Sequence, residues 1–352
     1  MSFMLTHRYT APLLLLLLTL LSLPVSAGAA TLIVANKAEA TVSLVSLPEG
    51  KVASTLPVGT GPHEVAVSPS GRLALIANYG GPGPAGAGST LTLIDVPAAK
   101  VVKTIALGDY RRPHGVLFVD ERRALVTAEQ NKALLEVDTE TGKVTRSVAT
   151  GQEVSHMVAV TGDGSRAFVA NIGSGSVTAV DLKAGKHLKD VPTGKGAEGV
   201  AVTPDGRQVW VTNREADTVT VVDAASLEVL ASLPSADFPI RAEATPDGKR
   251  VLVSNAQSGD LSVFTTADRK LERRVPLATE PSPAREGRLL GNVGSSLPIG
   301  IEIAPDGHRA YVAHANADAI SIVDLESWKK VGSLTAGKEP DGMGYSKLDV
   351  KK

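Results

Sequence analysis

From residue 31 onward, apolar positions either alternate with polar ones or run together over five or six residues. Val, Ile, Thr, Leu and Ala dominate these stretches, as in residues 65–67, 73–77, 91–94 and 101–107. Gly, Asp, Asn and Pro punctuate them. A period of two with β-branched enrichment predicts strands, and no convincing helical period follows residue 30. Pro-Asp-Gly at 204–206, 246–248 and 305–307, and Pro-Ser-Gly at 69–71, predict tight turns between paired strands. Glycine there accepts positive φ and the Asp side chain bonds its own backbone.

The same unit is written seven times, most plainly in residues 197–223, AEGVAVTPDGRQVWVTNREADTVTVVD. Its first position falls at Pro62, Pro113, Ser155, Ala197, Pro239, Pro298 and Pro340, a base spacing of 42 residues with two longer copies. Spacing of that size marks a repeat architecture. Thr31 to Asn36 reads as a second strand without a first, followed by strands over residues 41–46 and 52–58. The missing first strand is at the other terminus, in residues 340–345. One unit split between the termini closes a ring and removes exposed sheet edges. The expectation is an all-β, seven-bladed β-propeller over residues 30–346 whose closing blade is shared between the N- and C-terminal strands, with a polar tail at 347–352.

The second-strand endings Trp210-Val-Thr-Asn213, Phe168-Val-Ala-Asn171 and Tyr311-Val-Ala-His314 resemble the YVTN-repeat (YncE-like) propeller family across the chain after residue 30. That resemblance implies a secreted or periplasmic propeller. The family's relatives include cytochrome d1-type, nitrous-oxide-reductase-type and lactonase-type propellers. Fold likeness does not carry chemistry.

Composition narrows the rest. With 43% hydrophobic and 21% charged residues the chain has the make-up of a soluble globular protein, and with 3% aromatics its core is aliphatic. A net charge of −1 gives no general attraction to nucleic acid. Arg111, Arg112, Arg285 and Arg288, with Tyr79 and Tyr110, are too few for a single-strand platform. The absence of cysteine excludes disulfides, thiolate metal sites, cysteine nucleophiles and covalent c-type haem. His7 and Arg8, an apolar run at 13–23 and small residues at 24–30 form a signal-peptide pattern, so residues 1–29 are expected to be removed. The location predicted is periplasmic or secreted, with no integral membrane segment after cleavage and a monomeric state.

The copies differ on one side. Seven extra residues fall within 80–88, two more within 108–112, and 17 within about 279–297. In a propeller all three places lie on the face where the first strands begin, and loops that grow on one side often mark the binding side. The 279–297 loop, shaped by Pro281, Pro283, Gly287, Gly291 and Gly294, is a candidate lid.

Just after the anchors stand His63, His114, His156, Glu198, Ile240, Ile299 and Asp341. The five ionisable ones are contiguous around the ring. The two isoleucine blades instead carry Arg241, Glu243 and Glu302 nearby, which read as a channel salt bridge. Counted from the anchors, the second strands end at Asn36, Asn78, Glu129, Asn171, Asn213, Asn255 and His314. The asparagines are expected to bond the following turn, while Glu129 and His314 are expected at the mouth. Four of the six histidines after residue 30 thus map to one channel end. Strand parity leaves a second arrangement open, in which His63 follows Val65 and Val67 into the packing between blades.

The expected function is capture of a small ligand, a metal ion or a protein partner at this mouth. The candidate ligand-binding residues are His63, His114, His156, Glu198, Arg241, Asp341, Glu129, His314 and Glu302. His63, His114, His156 and Glu198, or Asp341 in place of Glu198, suit a divalent transition metal. The alternative is a metal-dependent hydrolase or lyase at the same mouth, lactonase-like or streptogramin-lyase-like. A metal-free base with Arg241 holding an anion is a third arrangement.

Overall fold

The strand and turn pattern resolves into seven four-stranded antiparallel sheets. The computed structural model describes residues 30–83, 86–284, 291 and 293–351. The segment 1–29, expected to be a signal peptide, lies outside these residues, as do Arg285, Gly287 and Arg288. We number the blades I to VII from the N-terminus. Blade II is representative, running Pro62–Val67, Leu73–Gly80, Ala87–Asp95 and Lys100–Ala106 from the channel outward. Blade I is the split one: Pro340–Ser346 pairs antiparallel with Thr31–Asn36, Thr31 opposite Ser346. Each first strand packs on that of the next blade, and Pro340–Ser346 touches both Pro298–Ile303 and Pro62–Val67, so the ring closes.

The core is a set of slabs between neighbouring blades. Leu75, Leu93 and Ile105 of blade II meet Phe118, Val126 and Leu135 of blade III. Trp210 and Val221 of blade V meet Val253 and Phe264 of blade VI. Each fully buried Leu, Ile or Val is worth about 1.5–3 kcal/mol, so closure is favoured by every slab, not by one centre.

Near the channel the strands approach closely. A Cβ on Gly115 would stand 2.6 Å from the His156 carbonyl oxygen, and one on Gly342 would stand 2.3 Å from that of His63. Glycine is required there. Where the position carries a side chain, Glu64 of blade II and Arg241 of blade VI meet across the channel, while Met157 of blade IV packs against the slab between blades IV and V.

The second-strand asparagines have the structural role expected of them, with different partners. Asn213 Nδ2 donates to Thr218 Oγ1 at 3.1 Å and Thr220 Oγ1 at 3.0 Å, hydroxyls of the third strand. Asn78 Oδ1 accepts the Gly59 N–H at 3.1 Å, tying in the preceding link between blades. His314 is the same device in another residue. Its Nδ1 lies 2.8 Å from Ser296 Oγ and its Nε2 2.8 Å from Ser321 Oγ. The expectation of His314 at the mouth is therefore corrected: the ring is fully buried in the blade wall and satisfied on both sides. Burial holds it neutral, with its pKa lowered to about 3.

Candidate functional site at the channel mouth

Three rows of side chains build one end of the channel. The inner row is the residue after each anchor, from His63 round to Asp341. Ladder register slips immediately beyond it, between Pro62 and Val65, Pro113 and Val116, Ser155 and Val158, and Ala197 and Val200. A bulge of this kind re-aims a side chain. Val65 packs between blades, while His63 turns into the mouth. Parity along the strand is broken at the one place where the alternative arrangement needed it.

The middle row precedes each anchor. Gly61, Arg112, Val154, Gly196, Phe238, Leu297 and Glu339 all have left-handed backbone, with φ between 52° and 74°. Five are not glycine, and each such residue costs roughly 1 kcal/mol or more. The strain is offset by a repeated hydrogen bond in which the residue after the second strand donates its N–H to this carbonyl. Glu129 to Arg112 (3.1 Å) and Arg214 to Gly196 (3.0 Å) are examples. Those donors are the outer row: Lys37, Tyr79, Glu129, Ile172, Arg214, Ala256 and Ala315.

This row corrects the alignment of Glu129. Pro113 pairs with Ala128, as Ala197 pairs with Asn213, so Ala128 fills the asparagine position of blade III. The turn at 119–123 is one residue shorter than its counterpart at 203–208, which moves Glu129 onto the rim. The same register brings in Lys37, Tyr79 and Arg214, which reading by anchor spacing missed as a row.

Together the rows enclose a cavity of about 580 Å³, within the range of small-molecule sites. His63, His114, His156, Glu198, Arg241, Asp341 and Glu129 all line it. Glu302 does not. Its Oε1 accepts the Tyr345 N–H at 3.1 Å, and Glu243 accepts the Ile303 N–H at 3.0 and 3.1 Å. Both sit deeper along the first strands, where burial raises their pKa values, that of Glu243 to about 8. The expected Arg241–Glu243–Glu302 salt bridge is also corrected. Arg241 Nη2 reaches across the channel to Glu64 Oε1 at 2.6 Å, and its Nη1 donates to Glu198 Oε1 at 3.0 Å. This buried pair floors the mouth.

Against one wall the histidines meet. The His63 and His114 ring centroids are 4.8 Å apart, and those of His114 and His156 only 3.5 Å. Donor atoms of His114, Glu129 and His156 all lie within 4.8 Å of one another. Separate blades can therefore supply ligands to one ion. His156 Nδ1 is 2.5 Å from Glu129 Oε1, and Tyr79 Oη donates to Glu129 Oε2 at 2.7 Å. His156 Nε2 comes within 3.2 Å of Glu198 Oε1, close enough for charge attraction but misaligned for a hydrogen bond. Burial opposes charge on His156, yet Glu129 and then Glu198 overcome it and raise its pKa. His63 and His114 are held well below the ordinary value, chiefly by burial, with Lys37 adding at His63 and His156 at His114. His114 Nδ1, His156 Nε2 and Asp341 Oδ1 are buried without hydrogen-bond partners.

The inserted loops differ in their relation to this cavity. Gly80, Gly81 and Pro82 form part of its wall, and Arg112 fastens them by donating to Gly81 O at 2.8 Å and Gly83 O at 2.6 Å. The described part of the 279–297 loop packs on blades VI and VII instead. Ser282 donates to Asn316 O at 2.9 Å and Leu297 joins the apolar cluster of Ile240 and Ile299. None of its described residues lines the cavity.

The fold and this funnel define a seven-bladed β-propeller with a polar channel mouth. Residues 124–285 match the family model of the YNCE-like beta-propeller, in agreement with the seven four-stranded blades. No curated protein matches the chain. Among solved structures it is similar to hydrazine synthase of Kuenenia stuttgartiensis, at 20% identity and a TM-score of 0.62, over 76% of this chain and 79% of that one. It is also similar to a functionally unknown protein of Desulfotomaculum acetoxidans DSM 771, at 14% identity and a TM-score of 0.74, over 91% and 99%. At these identities the likeness shows the fold alone. No helix among the described residues is long and apolar enough to cross a membrane.

Proposed function

We propose that this is an exported binding protein whose channel mouth captures a ligand through a divalent transition metal held by His114, His156 and Glu129. The observation that carries the reading is the pair of buried ring nitrogens that make no hydrogen bond, His114 Nδ1 and His156 Nε2, beside Glu129 on the cavity wall. Buried polar atoms are normally satisfied by the fold, and imidazole with carboxylate is a donor set for zinc, copper or nickel. Ligands about 2.0–2.1 Å from a tetrahedral ion stand roughly 3.4 Å apart, so the cluster must draw in by about an ångström on binding. Glu129 and Glu198 favour a proton on His156 against its burial, and a bound ion would take that proton's place. His63 and Glu198, candidates for the same ion on sequence grounds, flank the cluster.

The second reading, metal-assisted hydrolysis or lyase chemistry, is favoured by the cavity alongside the cluster, which has room for a substrate at the ion's open positions. Zinc titration of chelator-stripped protein by calorimetry tests the metal. One equivalent bound with proton release supports it, and no uptake of zinc, copper or nickel removes it. Lactone and ester turnover by the loaded protein then separates capture from catalysis. Export is tested by N-terminal sequencing of the periplasmic fraction. A chain that retains residues 1–29 there contradicts it.

A further inference from the structure

We infer that the ligand is a small monocarboxylate with an apolar body, its carboxylate seated on the unpartnered Nε–Nη2 edge of Arg214. This rests on the mouth being the binding site, not on the metal. Arg214 stands in the outer row, and its Nη1 donates to Glu198 Oε2 at 2.6 Å. Its Nε is buried without a partner, so among the described residues no group takes the Nε–Nη2 edge of the guanidinium. Two parallel N–H donors on a planar edge match a carboxylate bidentately, which a lysine ammonium cannot do.

The fork is fixed before a ligand arrives. Glu198 holds it on its Nη1 side and is itself held by Arg241 at 3.0 Å, so little side-chain freedom remains to be lost on binding. The guanidinium lies over the Phe238 ring, 5.3 Å from its centroid. Phe238 is one of the strained left-handed residues, with φ at 61°, and this backbone sets its ring on the cavity wall. Ile240 and Ile299 continue that wall inward. An acid gripped at Arg214 therefore lays its body on an apolar surface.

Among the described residues, the other guanidiniums of the mouth are committed. Arg112 serves the Gly81 and Gly83 carbonyls, and Arg241 serves Glu64 and Glu198. One open edge suits one planar monoanion better than a phosphate, which would call on further donors.

The test is calorimetry on the full chain, chelator-stripped and again zinc-loaded, with acetate, 4-methylpentanoate, phenylacetate and phenylacetamide. Phenylacetate and 4-methylpentanoate should bind at least about ten-fold tighter than acetate. Phenylacetate should bind at least about thirty-fold tighter than its neutral amide. Arg214→Lys should lose about ten-fold or more at unchanged Tm, and Phe238→Ala should erase the preference for phenylacetate over acetate. Equal affinity for acid and amide, no binding of either larger acid up to about 10 mM, or wild-type affinity in Arg214→Lys would overturn the inference. Should that variant misfold, the acid–amide comparison on the wild type decides. Zinc uptake without acid binding sinks this inference and spares the metal. Acid binding without zinc uptake does the reverse, and failure of both removes the mouth as the site.

Discussion

His156 and His314 are both buried histidines, one at the mouth and one in the wall of blade VII. The wall gives His314 a serine hydroxyl on each ring nitrogen. The mouth gives His156 a carboxylate on one nitrogen and leaves the other without a hydrogen bond, beside a second histidine in the same condition. Both rings are buried and their chemistry differs. A buried valence filled by the fold is architecture, whereas one left open beside a cavity is capacity to bind.

The largest effect expected comes from turning a satisfied group into an unsatisfied one. Arg241→Met strands the Glu64 carboxylate under the mouth, leaves Glu198 to Arg214 and His156, and should cost about 3–5 kcal/mol in urea unfolding. A loss under 1 kcal/mol would mean that water already screens this pair. Next, His314→Ala leaves the Ser296 hydroxyl without a partner, leaves that of Ser321 with Thr279 alone and opens a cavity, for about 2–3 kcal/mol. His314→Asn should recover most of that, because asparagine fills this position in other blades. Neither change should alter zinc affinity, and if one does, His314 is not purely structural.

Glu243 sharpens the contrast through pH. Its folded pKa, raised to about 8 by burial, lies above its unfolded value, so the folded state holds the proton longer. Its favourable contribution is complete below the unfolded value and is lost as pH climbs through about 8. Glu243→Gln should therefore match the wild type near pH 4.5 and exceed it above pH 8. The gain should be on the order of 1–2 kcal/mol, since the side chain is not fully buried and keeps some contact with water. Parallel stability curves from pH 4.5 to 9 would refute the raised value. The smallest effect is expected for Glu129→Gln, which keeps the shape of the rim but weakens one ligand and the orientation of His156. Zinc affinity should drop about ten-fold, or about 1.4 kcal/mol, with Tm little changed.

Much of this was legible in the chain. Seven copies of one unit and the split between residues 31–36 and 340–345 dictate a closed ring, because an open end would expose a sheet edge. The inner row was legible too, since His63, His114, His156, Glu198 and Asp341 occupy one position of a repeat that needs no ionisable group there. Glu129 was misplaced because a turn one residue shorter slides the register of blade III, and only the pairing of Pro113 with Ala128 exposes the slip. His314 was misread because a histidine and an asparagine satisfy the same serine and threonine hydroxyls. The signal available was Ser321, which stands where Thr220 and Ser262 serve Asn213 and Asn255. The partner of Arg241 could not be read at all. Glu64 lies 177 residues away in sequence and meets it only because the ring sets blades II and VI across the channel.

The central claim is that the open nitrogens of His114 and His156 are a metal site. It is tested most directly by zinc titration of the chelator-stripped protein beside its His114→Ala/His156→Ala double variant. The account predicts one tight equivalent with proton release in the wild type, and affinity reduced by about three orders of magnitude or more in a variant that still folds. No uptake by the wild type, or equal uptake by the two proteins, would contradict it.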